Sequence, residues 1–299
     1  MIWFAQLAMN GRFQAIALVM LSVTSAFFSW LGAAVIGLVT LRKGIGEGGF
    51  LLLWGFLGGV FLYVKLGDVN PIMQLSGTFF LAVILRRTVN LAVAVLACVP
   101  LGIILVLFLL WLSPPMIDQV VAAFSELISS LNRQMENSGR IFSLDPPGER
   151  LVIGMIGVAN LATAILCLFL ARFWQAALYN PGKFGVEFRV LRYPPLVTFP
   201  LAIGFALVSS MQGYQSWAGF FGLPLTVAGI SLVHAKAQYW KAPTLGLSLF
   251  YLVWLIVDWV KLGVLLLAVV DSAYDFRSNW SKGNMPERNS QNDEKSNDL

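Results

Sequence analysis

The sequence predicts an all-α polytopic transmembrane bundle of eight or nine hydrophobic segments, some short or broken, with one amphipathic helix at the interface. Composition is the first observation: 58% of 299 residues are hydrophobic and 12% charged, with a mean hydropathy of +0.77, whereas a soluble domain carries roughly a quarter charged residues. Second, runs such as Leu91–Leu112, Leu151–Ala171 and Leu196–Met211 are almost free of charge and approach or meet the ~20 apolar residues needed to cross the hydrocarbon core. Third, Gly or Pro interrupts many runs, a pattern that suits packed, discontinuous helices around internal cavities better than simple anchors.

In chain order the predicted segments are Phe13–Trp30, Leu31–Leu41, Phe50–Val64, Ile72–Leu85, Leu91–Leu112, Leu151–Ala171, Leu196–Met211, Trp217–Val233 and Leu245–Val270. The first run passes Ser29 without a small-x-small cleavage site, so it reads as a retained span and not a signal peptide. Phe13–Leu41 is either two segments parting between Trp30 and Leu31 or one long tilted helix. The last run is either one tilted span or two half-helices meeting near Asp258.

Threading nine segments back and forth puts eleven basic residues on one side: Arg12, Arg42, Lys43, Arg86, Arg87, Arg172, Lys183, Arg189, Arg192, Lys236 and Lys241. The other side receives Lys65, Arg133, Arg140 and Arg150. By the positive-inside rule the richer side is cytoplasmic and holds the N-terminus. The net charge of +5 is thus topological, with no patch suited to nucleic acid.

Between the fifth and sixth segments lies an amphipathic outer insertion over about 114–149. There Ile117, Val120, Val121, Phe124, Leu127, Ile128, Leu131 and Met135 recur at three- and four-residue spacing, forming one apolar stripe on a helix that lies in the outer interface or caps a cavity. The transmembrane domain is read as 1–277. The polar stretch 278–299 has too little apolar surface to offset the cost of ordering and is expected to be disordered.

Small residues recur at fours in Ser25, Ser29, Ala33 and Gly37, with Ser22 and Ala26 adjacent, and Gly55 and Gly59 make a G-x-x-x-G pair. In lipid such rows let helices approach closely, either inside the bundle or against a partner. Asp258 and Lys261 fall on one face inside an apolar span, which makes them either a functional site or a salt bridge at a helix break. Asn160 is a polar residue within a span. His234, beside Lys236, suits a headgroup contact or a helix cap better than a proton relay.

Metal and catalytic patterns are missing. Cys98 and Cys167 lie in apolar runs as packing residues, one histidine offers no zinc framework, and no nucleophile elbow, P-loop or H-E-x-x-H occurs. The expectation is a protein that is no enzyme and needs no cofactor.

The segment Leu265–Asn279, LLLAVVDSAYDFRSN, resembles the closing signature of the YybS-like family of bacterial multi-spanning membrane proteins, carried by Asp271, Asp275, Phe276 and Arg277. VTLRKG at Val39–Gly44, and ARFW followed by RYPPLVTFP within Ala171–Pro200, agree with it. Val270 stands where the family has glycine, and the aromatic expected just after the first aspartate is displaced to Tyr274. The likeness implies a bacterial cytoplasmic-membrane protein, similar in architecture to the substrate-binding S components of energy-coupling-factor transporters. It further implies that Ser25, Ser29 and Ala33 face a membrane coupling subunit and that a cavity near the outer leaflet holds a small molecule. The rival expectation is an assembly protein that organises partners through its cytoplasmic loops, Arg172–Arg192 above all.

Overall fold

The computed structural model describes residues 2–25, 27–112, 114–138, 143–238, 240 and 242–283. Its elements are helices throughout, with no strand among the described residues. They run α1 (Ile2–Asn10), α2 (Arg12–Val23), α3 (Ser29–Arg42), α4 (Ile45–Leu66), α5 (Asn70–Thr88), α6 (Leu91–Leu96), α7 (Cys98–Leu112) and α8 (Pro114–Asn137). After these come α9 (Glu149–Tyr179), α10 (Lys183–Arg189), α11 (Pro195–Ser210), α12 (Ala218–Ala237), α13 (Pro243–Ile256), α14 (Asp258–Tyr274) and α15 (Phe276–Gly283).

All nine predicted segments are helical, but they are not equally long. Four helices, Ile45–Leu66, Leu91–Leu112, Glu149–Tyr179 and Gln215–Ala237, have the length and composition to cross a membrane; α13 and α14 together make a fifth, bent by 115°. At 1.5 Å per residue, α2, α3 and α11 reach only about 18, 21 and 24 Å, short of the ~30 Å hydrocarbon core. The span Leu91–Leu112 is interrupted at Ala97, where Pro100 has no amide hydrogen to give the carbonyl of Leu96.

The first break falls between Val23 and Ser29, earlier than the Trp30–Leu31 junction the sequence suggests. Ser22 and Thr24 turn their hydroxyls back onto the carbonyls of Leu18, Val19, Met20 and Leu21, a competition with the backbone that favours helix ends. The chain then reverses: Gly32 packs on Val19, Ser22 and Val23, so α2 and α3 form a tight hairpin. Ahead of it lies α1, which the hydropathy pattern did not single out; its Ala5 and Ala8 are fully buried.

Helix α4 runs back along this hairpin, with Gly55 beside Val19 and Ile36 and Gly58 beside Val23. The hairpin tip is therefore level with Gly58, about 12 Å short of the far end of α4. The last apolar run also breaks, at Val257, whose extended backbone (φ −106, ψ 107) separates α13 from α14. The chain thus turns back twice short of a full crossing, once at the α2–α3 hairpin within the bundle and once at the α13–α14 break on its outside.

At the core of the bundle α3, α5 and α9 pack on one another and run parallel. Ser29, Asn70 and Asn160 lie together at one end, and Leu41, Arg86, Arg172 and Asn180 at the other. Arg42 stacks 3.9 Å over the Tyr179 ring, and Arg86 Nη1 donates to the Leu41 carbonyl at 2.6 Å. The basic residues therefore sit where three helix C-termini present partial negative charge. A bidentate pair between Arg12 and Glu47 brings the starts of α2 and α4 to this same basic end.

Outside the core, α8 is held by Asn132, whose amide exchanges two 2.9 Å hydrogen bonds with the backbone of Leu144. Only Ile117 of its stripe is fully buried. The expected disordered tail begins inside α15, which continues to Gly283; residues 284–299, like Ala26, Arg140 and Lys241, lie outside the described residues.

Candidate functional site

A cavity of about 330 Å³ opens between the starts of α3 and α5 and the interior of α9, lined by Ser29, Asp68, Asn70, Gln74, Ile156, Ala159, Asn160 and Thr163. It lies within the membrane-spanning part of the bundle: Asn160 is eleven residues, about 16 Å, along α9 from Glu149. Helix α3 begins here because the α2–α3 hairpin turns short of the far end of α4, and α5 begins here after a three-residue connection from the end of α4 at Leu66, with Pro71 in its first turn, where the missing amide hydrogen costs nothing.

The polar groups form two walls. On the first, Asn160 is 4% exposed; its Nδ2 donates to Asn70 Oδ1 at 2.7 Å and to the Ile156 carbonyl at 3.0 Å. Asn70 in turn donates to Asp68 Oδ1 through its amide nitrogen at 2.8 Å and its backbone nitrogen at 3.0 Å. On the second wall, the Ser29 hydroxyl donates to Gln74 Oε1 at 2.8 Å. Asn160 Oδ1 is buried without a hydrogen-bond partner, and a buried acceptor left open costs about 1–3 kcal/mol. Among the described residues Asp68 forms no ion pair.

Asn160 and Ser29 were legible as candidates, one as an intramembrane amide and the other as part of the small-residue row. Asp68, Asn70 and Gln74 were not singled out. A proline at the second position of a helix, preceded by Asp-x-Asn, was the available signal for a capped start at this point.

The small-residue row packs internally. Ala33 is fully buried, Ser29 is 4% exposed, and Gly37 fits against Thr78 and Ala171. A Cβ on Gly55 would stand 2.9 Å from Leu75 Cδ1, and one on Gly59 2.8 Å from Ile72 Cγ1. Ser25 lies in the hairpin turn, half-buried. The expectation that Ser29 and Ala33 face a partner is thereby corrected: both sides of that row are already occupied by this chain's own helices.

The Asp258 and Lys261 pair is also placed differently from an internal site. Lys261 Nζ donates to Asp258 Oδ1 at 2.6 Å, but the side chains are 43% and 89% exposed respectively. They mark the tip of the α13–α14 hairpin and line no described cavity. Of the two alternatives open in the sequence, the geometry is that of a salt bridge at a helix break.

His234 lies at the basic end in a cleft of about 800 Å³ with Phe169, Phe173, Phe184, Phe188, Arg189 and Tyr251. Its Nε2 is 2.7 Å from the Tyr251 hydroxyl, and its ring meets Phe188 edge to face. His234, Asp258 and Asn160 are thus three separate features.

The signature residues Asp271, Asp275, Phe276 and Arg277 close the bundle at its basic end. Asp271, 2% exposed, accepts the Phe276 backbone N–H at 3.1 Å and faces Arg192 and Arg277, each at 3.8 Å. Arg192 also pairs with Asp275 at 2.7 Å and donates to the Ser272 carbonyl. Arg277 donates to the Leu191 carbonyl at 2.9 Å and to Ser231 Oγ at 3.1 Å; burial lowers its pKa, partly offset by Asp271. Next to Arg192, Tyr193 donates to the Ala92 carbonyl, and burial pushes its phenol up. The RYPP and DSAYDFR stretches are therefore one spatial unit.

No group of three or more His, Cys, Asp or Glu side chains suited to a metal ion occurs among the described residues. No protein-family model, curated protein or solved structure matches the chain.

Proposed function

We propose that this membrane protein binds a small polar solute in the cavity around Asn160 and serves a transport process without catalysing a reaction. The observation that carries the reading is the unpartnered, buried Asn160 Oδ1 on a helix long and apolar enough to cross the membrane, beside a cavity where α3 begins short of the far end of α4. A short helix that ends on a polar cavity within the bundle, as α3 does, is a construction that solute sites in membrane transporters use. At about 330 Å³ the cavity falls at the lower end of the range for small-ligand pockets.

The resemblance of Leu265–Asn279 to the YybS-like family supports placing the protein in a bacterial cytoplasmic membrane. There the basic end, and with it the N-terminus, faces the cytoplasm. Likeness to energy-coupling-factor S components supports a membrane coupling subunit as partner, with lipid as the surrounding solvent. Such a subunit would dock on surfaces other than the internally packed Ser29 and Ala33.

Native mass spectrometry of the protein released from nanodiscs tests the reading. A co-purifying small molecule, lost in Asn160→Leu and retained in a Lys65→Gln control, is the expected result. An adduct indifferent to Asn160 would overturn it.

A further inference from the structure

The two walls of the Asn160 cavity differ in electrostatic sign, and that difference selects a ligand. The first wall is rich in acceptors. Asn160 Oδ1 is buried and unpartnered, and Asp68 is a carboxylate with no ion-pair partner among the described residues, its Oδ1 held by Asn70. Because both Asn160 Nδ2 hydrogens are already committed, this wall asks its ligand for hydrogen-bond donors and tolerates positive charge.

The second wall is the reverse. Helix α3 begins at Ser29 after Phe28, no side chain caps it, and although the Leu31 N–H goes to the Phe28 carbonyl, the positive end of the helix dipole stands at this point. Gln74 uses its Oε1 to accept from Ser29, which leaves its amide nitrogen as a donor on the same side. The start of α5 does not compete, since Asp68 already accepts the Asn70 backbone N–H.

From this pairing, which rests on the solute-binding reading above, we infer that the cavity takes a small zwitterion, its ammonium toward Asp68 and Asn160 and its carboxylate toward the start of α3 and Gln74. Size agrees: about 330 Å³ equals roughly eleven water volumes, room for an amino acid of modest side chain. A bare inorganic ion would leave most of that volume unfilled, and an ammonium or a carboxylate alone would satisfy one wall and leave the other facing an apolar group.

The test uses the full chain in nanodiscs and four probes that share one branched skeleton. These are L-leucine, isoamylamine without the carboxylate, 4-methylpentanoate without the ammonium, and 4-methylpentan-1-ol without either charge. Calorimetric titration is expected to show L-leucine binding at least tenfold tighter than each of the other three. Asp68→Asn should reduce that advantage about tenfold, and Asn160→Leu should abolish it. If isoamylamine or the alcohol equals L-leucine, in binding that Asn160→Leu removes, the zwitterion is wrong while the solute site stands. Should none of the four bind in an Asn160-dependent way, both readings fail. Since Asn160→Leu disturbs a buried bond, Asp68→Asn, on a half-buried side chain at the rim, supplies the second and independent readout.

Discussion

Asp271 lies 3.8 Å from Arg192, and that contact joins the loop before α11 to the last turn of α14. The aspartate is 2% exposed and faces Arg277 at the same distance, so removing it takes from Arg277 its ion-pair partner among the described residues, while Arg192 keeps Asp275 at 2.7 Å. Breaking a buried pair from one side costs about 3–5 kcal/mol, whereas an exposed pair contributes about 0–1 kcal/mol. Asp271→Ala should therefore lower stability in reversible micelle unfolding by about 3–5 kcal/mol. Asp275→Ala, on a side chain 42% exposed, should cost no more than about 1 kcal/mol. Equal effects would mean that Asp271 is not the centre of the unit.

The tip of the second hairpin allows a similar comparison. Asp258 lies thirteen residues, about 20 Å, along α14 from Asp271, far enough to reach the hydrocarbon core if α14 runs across the bilayer. An unpaired charge near the centre costs about 2.5–3.5 kcal/mol on insertion scales. Lys261→Leu and Asp258→Leu should each destabilise the protein by roughly that amount in nanodiscs, while the double variant regains most of the loss. Single effects below about 0.5 kcal/mol that simply add would move the tip into the headgroup layer.

These two sites also show what the sequence could and could not disclose. Apolar runs marked the long helices other than α8, whose amphipathic stripe was read by its spacing, and the DSAYDFR stretch stood out along the chain, because these are local patterns. The partnership of that motif with Arg192 was not visible, nor was the meeting of Asn70, Asn160 and Ser29, because each depends on helices that pack far apart in the chain. In lipid the difficulty is greater than in water: core and solvent are both apolar, so periodicity does not report which face points inward. The break at Val23–Ser29 was misplaced for a local reason, since hydrophobicity is continuous there and only the hydroxyls of Ser22 and Thr24 end the helix. Asp258 looked internal because an apolar neighbourhood in sequence does not distinguish a buried position from a hairpin tip.

Close helix approach at Gly59 gives a third expectation. A Cβ there would meet Ile72 at 2.8 Å, at the point where α4 and α5 cross beside the cavity. Gly59→Leu should cost at least the 1–3 kcal/mol typical of overpacking and should weaken Asn160-dependent ligand binding by shifting the start of α5. Gly46→Leu, where nothing lies within 4 Å of an added Cβ, should be nearly neutral in both assays. A Gly59→Leu protein with unaltered stability would contradict the α4–α5 packing.

Thiol chemistry supplies the last expectation and fixes the orientation of the whole bundle. Cys98 is fully buried and Cys167 2% exposed, with the Cys167 Sγ donating to the Trp30 carbonyl at 3.2 Å. Neither should react with N-ethylmaleimide in the folded protein, and both should react once it is unfolded in SDS. In a background of Cys98→Ala and Cys167→Ala, reporters placed by Lys65→Cys and Lys183→Cys occupy exposed positions at opposite ends of the parallel trio α3, α5 and α9. If the basic end faces the cytoplasm, a membrane-impermeant maleimide added to intact cells labels Lys65→Cys and reaches Lys183→Cys only after permeabilisation. The reverse pattern would invert the bundle and move the Asn160 cavity to the cytoplasmic half. Labelling of both in intact cells would break the assignment of Lys65 and Lys183 to opposite faces, and with it the parallel arrangement that forms the site.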